Sequence, residues 1–225
     1  MPTPEPALWS LEWWKETADI IQSMFVCLTA IVALLGVNEW RRQTLGKRKI
    51  ELAEQVLASF YEARDLFVWV RSPAAFGGEG ETRQADGEEE NVRRRRNTYF
   101  VPIERMQKHG ELFAKLQSQR YSFMALFGAD AVKPFDELRQ VQVRISVSAQ
   151  TLIGMVGNRY AQQQNQPLIE RCESDIWEGM YEAREQEDPL KASMIHIINL
   201  IEGLCRPVLL HSSWSLFRPS SWAKK

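Results

Sequence analysis

The strongest candidates for binding chemistry in this sequence are four consecutive arginines, Arg93, Arg94, Arg95 and Arg96. Tyr99 and Phe100 follow them. Guanidinium groups bind phosphate oxygens in a bidentate geometry, and aromatic rings stack on nucleobases. The run therefore predicts a site for an anionic ligand such as an oligonucleotide, a nucleotide or a lipid headgroup. Three glutamates at 88–90 precede the run and could neutralise it within a solvated loop, and we favour that second interpretation.

A second set of polar side chains lies inside an apolar stretch, residues 18–38. Projected at 100° per residue, one half of this helix carries large apolar side chains and the other carries small and polar ones. The small and polar half includes Asp19, Gln22, Ser23, Val26, Thr29, Ala30, Ala33 and Gly36. Small residues let helices approach closely, and an amide in hydrocarbon needs a partner. The pattern predicts self-association, with this face as an oligomer seam or a pore lining.

The other reactive residue types form no catalytic pattern. No carboxylate or cysteine stands at metal-ligand spacing from the three histidines, His109, His196 and His211. No phosphate-binding glycine loop precedes a lysine. We interpret the three cysteines as buried free thiols of a reducing compartment: Cys27, Cys172 and Cys205. We therefore expect no enzyme activity, no metal and no cofactor.

Composition narrows the class of protein further. Hydrophobic residues make up 44% and charged residues 25% of the 225-residue chain, which is typical of a globular protein rather than a disordered one. A net charge of −1 argues against a broadly basic surface for nucleic acid, although it leaves a local basic patch open.

The apolar stretch predicts a single transmembrane helix at 18–38. Its only charge, Asp19, lies at the edge, and about 20 helical residues cover the roughly 30 Å hydrocarbon core. The flanks carry residues typical of a membrane interface: Trp9, Trp13, Trp14, Trp40, Arg41 and Arg42. Acidic residues dominate 1–17 and basic residues dominate 41–49, so the N-terminus is expected outside and the C-terminal part in the cytosol. The alternatives are a buried core helix and a cleaved signal peptide.

The rest of the chain predicts an all-α protein in which the span continues into a cytosolic helical bundle. We expect a stalk helix at 39–71, a mobile charged loop at 72–97 and a helical domain at 98–225. Within that domain, helices are expected from Pro102 to Phe127, from Pro134 to Gly157, from Ile169 to Arg184 and from Pro189 onwards, with a polar connection at 158–168. Asp188 is expected to cap the last of these helices, and we interpret the apolar stripe of this helix as core packing. The stalk also carries an apolar stripe at helical spacing, which includes Ala53, Val56 and Phe60. Apolar and polar residues alternate strictly over 141–147, which leaves a strand there as an alternative to a helix. The aromatic and basic tail could fold back to the membrane surface or pack on a partner subunit.

The segment from Trp40 to Arg42, the stretch LAEQVLASFYEARD at 52–65 and the sequence Arg71-Ser72-Pro73 resemble a family of small bacterial single-span helical proteins. The family includes channel-type membrane effectors of anti-phage systems, such as the channel subunit of the Hailong system. The resemblance covers about the first 75 residues. It implies a location in the bacterial inner membrane and an oligomeric pore gated by a cytosolic domain that senses an anionic ligand.

Two function classes remain open at this point. The first is a homo-oligomeric membrane effector of four or more subunits, a gated ion channel or membrane-disrupting pore. The second is a membrane-tethered scaffold or sensor that docks a protein partner, which its own operon could encode. The two-faced span favours the first only modestly, because dimerising anchors show similar seams.

Overall fold

The computed structural model describes the backbone of residues 8–85 and 87–215, and the side chains of residue 18 and of residues 21–37, 39–85 and 87–210. All regular structure in these ranges is helical, which confirms the predicted all-α class. The chain divides into two units, residues 1–48 and 49–225.

A single long helix, α1, runs over Leu8–Val70. Both the predicted span and the predicted stalk fall within it. Gly36 and Gly46 do not interrupt it, and a Cβ atom at either position would meet nothing within 4 Å. From residue 49 onwards α1 belongs to the second unit and buries a stripe at helical spacing. The stripe comprises Ala53, Val56, Phe60, Ala63, Phe67 and Val70.

Six further α-helices complete the second unit within the described residues. They are α2 (Glu90–Lys108), α3 (Gly110–Phe127), α4 (Lys133–Met155), α5 (Arg159–Gln164), α6 (Gln166–Ile176) and α7 (Pro189–Ser215). Short 3₁₀ turns cover Ala129–Val132 and Glu182–Arg184.

The predicted loop at 72–97 is wrong at its C-terminal end, because α2 already begins at Glu90. The predicted helix start at Pro102 is wrong for the same reason, since Pro102 lies in the interior of α2. A carboxylate in the first turn favours a helix N-terminus, and Glu90 also forms ion pairs with Arg93 and Arg94 one turn later. The residues 90–97 contain few apolar side chains, so hydrophobic periodicity did not reveal this part of the helix.

Other boundaries also shift. The alternation at 141–147 lies within α4, where Val141 and Ile145 are buried and Val143 and Val147 are exposed, so the strand alternative is wrong. The polar connection at 158–168 contains the short helix α5 and the start of α6. The helix α6 ends at Ile176 rather than near 184.

The core of the second unit is built from buried residues of α1, α2, α3, α4, α6 and α7, and α4 contacts α2, α6 and α7. The ring of Phe60 meets the edge of Phe135 at 4.9 Å between centroids, and Phe123 packs beside it. The helix α7 supplies Ile197, Ile201 and other residues with no exposed surface. Its apolar stripe was expected to be plain core packing, and this is confirmed.

The beginning of α7 is capped as the sequence predicts. Asp188 precedes Pro189, and its Oδ1 accepts hydrogen bonds from the backbone N–H groups of Leu190 at 2.9 Å and Lys191 at 3.2 Å. The same carboxylate lies 2.8 Å from the guanidinium of Arg71, at the end of α1. The start of α7 is therefore joined to the end of α1.

Candidate functional site

The first candidate site is the apolar part of α1, where every residue from 21 to 37 is exposed. Its large side chains are 53–67% exposed, and no part of its most apolar window is buried. Two helices among the described residues are long and apolar enough to cross a membrane, this one and α7. The second supplies the core, with Leu190 and Ile201 almost fully buried. The apolar segment of α1, in contrast, is not buried by any of the described residues.

The face predicted as a seam lies on this segment. Gln22, Ser23, Val26, Thr29, Ala30, Ala33 and Gly36 are all exposed, whereas the side chain of Asp19 lies outside the described residues. The hydroxyl of Thr29 donates to the carbonyl of Phe25 at 2.7 Å, which satisfies its proton within the helix. The side-chain amide of Gln22 makes no hydrogen bond to any residue whose side chain is described. In a hydrocarbon environment this amide would need a partner.

The predicted membrane-interface residues can be placed only on the C-terminal side of the span. Trp40 is 66% exposed, and Arg41 and Arg42 are also exposed. The side chains of Trp9, Trp13 and Trp14 lie outside the described residues. Cys27 is exposed on the span, contrary to the expectation of a buried thiol, while Cys172 and Cys205 are buried as predicted.

The second candidate site, the arginine run, is divided by the helix that carries it. Arg93 and Arg94 line a surface cleft of about 500 Å³ that holds three glutamates and one further arginine. Arg95 lines a separate, smaller cleft with Tyr99. Arg96 turns inward and donates to the carbonyl of Val156 at 3.0 Å. Successive helical residues point about 100° apart, so the four guanidiniums do not converge on one ligand.

Internal carboxylates neutralise most of the run. Glu90 pairs with both Arg93 and Arg94. The carboxylate of Glu88 is held by Arg83 and by Arg96, which lower its pKa to about 2. These contacts support the solvated interpretation over a single anion site.

Tyr99 is also engaged within the protein. Its hydroxyl donates to Oε1 of Glu173 at 2.8 Å, and burial together with this carboxylate raises its pKa. A ring held in this way is half-buried and cannot swing out to stack on a base without breaking that bond.

The sequence did not reveal the most elaborate polar site, which is centred on Arg105. This side chain has no exposed surface. Its Nη2 donates to Glu79 at 2.7 Å and to the carbonyl of Ala74 at 2.7 Å, and its Nη1 donates to the carbonyls of Trp69 and Ser72, each at 2.8 Å. The guanidinium also lies 4.9 Å from the centroid of the Trp69 ring. Arg105 thus binds the end of α1 and the loop that follows it.

The loop that follows α1 is hydrogen-bonded to α2 at several points. The backbone N–H of Gly80 donates to the buried carboxylate of Glu104. Gly80 has a φ of +85°, and a Cβ there would come 2.2 Å from the carbonyl oxygen of Asn97, so only glycine fits. Arg83 also donates to the side chain of Asn97 at 3.1 Å.

A second buried network joins α4, α6 and the connection to α7 around Asp175. This carboxylate accepts from Arg144 at 2.7 Å, from the Ser148 hydroxyl at 2.9 Å and from the Tyr181 hydroxyl at 2.7 Å. Burial and this carboxylate raise the pKa of Tyr181 to about 12. Three donors occupy the oxygens of Asp175, so it is not free to act as a base, and we assign the network a structural role.

A sequence signal for these networks exists in retrospect. Arg105 and Arg71 occupy positions in otherwise apolar helical stripes, next to Met106 and Val70 respectively. A charge at such a position indicates a buried partner rather than a solvated face. Among the residues described, no group of three or more histidine, cysteine or acidic side chains could hold a metal ion.

Comparison with protein families, with curated proteins and with solved structures finds no match to this chain.

Changing Glu79 to Gln should destabilise the second unit, because Arg105 would remain buried without its counter-charge. We expect a loss of about 3 kcal/mol in the free energy of unfolding at neutral pH. Arg105 lowers the pKa of Glu79 below its usual 4.5, so the pair stabilises the fold above that pH. The contribution is lost as the pH falls through the lower folded pKa, so wild type and variant should converge in acid. Denaturant unfolding of the full chain in detergent measures this, with the exposed Glu81→Gln in the same loop as control.

Changing Glu90 to Gln should increase binding of a polyanion, because it releases Arg93 and Arg94 from their internal partner. The slope of log K against log salt should steepen by about 1–2. Glu89→Gln removes one negative charge from the neighbouring position without breaking either ion pair and is the matched control. Fluorescence anisotropy of a labelled oligonucleotide measures both variants. Equal effects of the two changes would mean that net charge, not the ion pairing, controls binding.

Proposed function

We propose that this chain is a single-span membrane protein whose spans associate, and that it acts as an oligomeric effector forming a gated pore. The observation that carries the proposal is the unbroken exposure of the apolar residues from 21 to 37. The proposed location is the bacterial inner membrane, with the helical unit on the cytosolic side because the basic residues at 41–49 follow the span.

The exposed segment is too apolar to be left in water. Ten large apolar side chains on it are more than half exposed: Ile21, Met24, Phe25, Val26, Leu28, Ile31, Val32, Leu34, Leu35 and Val37. Burying each such side chain gains about 1.5–3 kcal/mol, so the ten forfeit roughly 15–30 kcal/mol in water. A bilayer provides the missing apolar environment.

Association of the spans follows from the two faces of the helix. The large side chains suit lipid, whereas the opposite face carries the Gln22 amide and small residues such as Ala33 and Gly36. The absence of a side chain at Gly36 is not required by any contact within the described chain. Close contact with another span would use it. A ring of four or more helices would also give the Gln22 amides partners around a common axis.

The same ring supports a pore. The half of the ring nearer the extracytoplasmic side would present Gln22, Ser23 and Thr29 to the axis. These polar groups can replace the contacts that a permeating ion makes with water. The half nearer the cytosolic side would present Ala33 and Gly36 to the axis, and such an apolar constriction closes by dewetting. Opening would require a change in α1, whose cytosolic end is held by Arg105 and by the ion pair of Arg71 with Asp188.

The proposed stimulus and the anti-phage role rest on the resemblance to channel-type effectors and on the arginine run. An anionic ligand or an operon-encoded partner would act on the helical unit. An anionic ligand would compete with Glu90 for Arg93 and Arg94. The helical unit would respond to the ligand through this exchange of ion-pair partners.

A membrane-tethered scaffold is the second candidate function, and one observation favours it. A shallow apolar groove of about 210 Å³ lies between the cytosolic part of α1 and α7. Val68 and Ile195 at this groove are 53% and 58% exposed. Such a groove suits an apolar anchor of a docked protein.

Replacing Ala30 and Ala33 together by Leu should weaken association of the spans, because the added side chains hold the small faces apart. Leu28→Ala on the lipid-facing side should change association much less. Crosslinking of the full chain in native membranes, followed by measurement of the oligomer distribution, tests the difference. Equal effects from the two faces would rule out the proposed seam.

Pore formation predicts opposite effects of two substitutions on the same face. Thr29→Leu should lower conductance because it removes a polar lining group, and Ala33→Ser should raise leak and growth toxicity because it wets the apolar constriction. Planar-bilayer recordings of the purified chain, alone and with the products of neighbouring genes, give the measurement. If no condition yields a current and neither change affects growth, the scaffold function is the better account.

A further inference from the structure

The loop after α1 presents an exposed aromatic ring. Phe76 is 72% exposed, more than any other large hydrophobic side chain among those described, the apolar residues at 21–37 included. Its neighbours from Pro73 to Gly78 are all exposed as well, and none of them carries a charge. We call residues 73–78 the Phe76 loop. Single exposed hydrophobic side chains are common on protein surfaces, so exposure alone does not indicate a partner.

The backbone beneath the Phe76 ring is held in place. The N–H of Phe76 donates to Oε2 of Glu79 at 3.0 Å, and its carbonyl accepts from the N–H of Glu79 at 3.1 Å. The buried Arg105 binds Glu79 and also the carbonyl of Ala74, each at 2.7 Å. A ring on a fixed loop loses little conformational freedom when it binds, which is typical of the aromatic residues that dominate interfaces.

The shallow apolar groove between α1 and α7, here called the α1–α7 groove, has the size and chemistry to accept such a ring. Buried apolar residues form its floor, and half-exposed ones form its walls: Phe67, Val141, Leu190 and Met194 below, Val68 and Ile195 at the sides. Its volume is about 210 Å³, and an apolar cavity of about 150 Å³ already accepts benzene. The Phe67 ring and the Met194 sulfur are both favourable neighbours for another aromatic ring.

The two surfaces carry opposite charges at their edges. Arg64 and Lys191 line the groove with side chains that are 47% and 61% exposed. Each pairs only with an exposed carboxylate, and such pairs are weak. Glu81 follows the Phe76 loop, is exposed, and forms no ion pair with the residues that the structure describes. A negative charge beside the ring therefore complements the positive charges beside the groove.

The groove and the Phe76 loop lie at the same level of the helical unit but on different sides. The groove flanks the last two turns of α1, where it is lined by Arg64, Phe67, Val68 and Arg71. The loop lies at the same end of α1, because Arg105 binds the carbonyls of both Trp69 and Ala74. The loop is bonded to α2, whereas α7 forms the other wall of the groove. Each copy of the chain therefore presents both surfaces at once.

We propose that Phe76 of one subunit inserts into the α1–α7 groove of the next, so that the helical units join head to tail. The inference rests on the proposed oligomer, and it names the contact between neighbouring helical units. Contact between unlike surfaces leaves a loop and a groove free at the two ends of any open chain, so it repeats until rotation closes a ring. Rotation about an axis parallel to the cytosolic part of α1 keeps the level of every residue, as the shared level of loop and groove requires.

Such a contact would link each subunit to the α1 helix of its neighbour. Arg105 binds the Phe76 loop together with the carbonyls at the end of α1, and α1 side chains line the groove. A movement of α1 in one subunit would therefore act on the loop or the groove that its neighbours hold. Opening of the proposed pore would then be cooperative among the subunits.

The test uses the full chain with Cys27→Ser as the background, since Cys172 and Cys205 are buried. One variant carries Ala75→Cys, which leaves Phe76 in place. A second carries Glu178→Cys, which leaves the apolar and cationic residues of the groove in place. The two variants are coexpressed with different affinity tags and treated with a short bismaleimide. We expect a crosslinked product that contains both tags, and no dimer when either variant is expressed alone.

A chain that carries both Ala75→Cys and Glu178→Cys should form crosslinked species larger than a dimer, because each subunit contacts one neighbour through its loop and another through its groove. Crosslinks within a single chain, or products that stop at the dimer when the reaction is complete, would overturn the head-to-tail contact. Crosslinking of Ala75→Cys chains to one another would do the same. Crosslinking of Glu178→Cys to a different protein instead would overturn the proposal and assign the groove to the scaffold function.

Phe76→Ala removes the inserted ring and should raise the protein concentration needed for half-maximal crosslinking about 10- to 100-fold. Tyr160→Ala is the matched control, because Tyr160 is 70% exposed and lies on α5, outside both surfaces. Both replaced rings are exposed, so neither change should alter the thermal unfolding of the chain. Equal effects of the two changes on crosslinking would contradict the proposed role of Phe76.

The seam variant, Ala30→Leu with Ala33→Leu, separates this contact from association of the spans. An oligomer of unchanged mass in detergent that gives no two-tag product would remove the Phe76 contact and leave association of the spans standing. A two-tag product of unreduced yield in the seam variant, whose spans no longer crosslink, would support the Phe76 contact as an independent source of assembly.

Discussion

A buried guanidinium must find every hydrogen-bond partner within the protein, because no water reaches it, and Arg105 meets this constraint by gathering three segments around itself. Its partners are the carboxylate of Glu79 and the carbonyls of Trp69, Ser72 and Ala74. The carbonyls at the C-terminal end of α1 carry partial negative charge, which the cation offsets. The end of α1, the loop after it and α2 are therefore one electrostatic assembly. Arg71 joins the same helix end to the start of α7 through Asp188.

The helix α1 is exposed along one part of its length and partly buried along another, and its residue pattern changes accordingly. Residues 21–37 are apolar around most of the circumference, and all of them are exposed. From Ala53 to Val70 the apolar residues form one stripe, and that stripe is buried in the bundle. A single backbone conformation thus serves an exposed apolar segment and a core helix. The buried half requires only one apolar face, which leaves exposed residues such as Glu62 to face water.

The sequence predicts the helical class, the stripe on α1, the cap at Asp188 and the stripe on α7, because each depends on local periodicity or on a local hydrogen bond. It does not predict the start of α2, where ion pairs of Glu90 support a helix with few apolar residues. It also misses the Arg105 and Asp175 networks. Their partners are 26 and 31 residues apart in the pairs Glu79–Arg105 and Arg144–Asp175, and only the folded chain brings them together. The four arginines of the run are evident in the sequence. The surrounding sequence predicts a loop, however, and so does not reveal that a helix points their side chains in different directions.

The close approach of Gly80 to the backbone of Asn97 has a consequence for the evolution of this protein. Position 80 admits only glycine, its N–H is bound by Glu104, and the neighbouring Glu79 neutralises Arg105. These four residues form two pairs of sequence neighbours, Glu79-Gly80 and Glu104-Arg105. Each member of one pair is bound by a member of the other. Homologues that keep the fold should retain or lose the two pairs together, even where the sequence of the surrounding loop has diverged too far to be aligned. Such paired substitution would mark common descent more reliably than overall sequence identity.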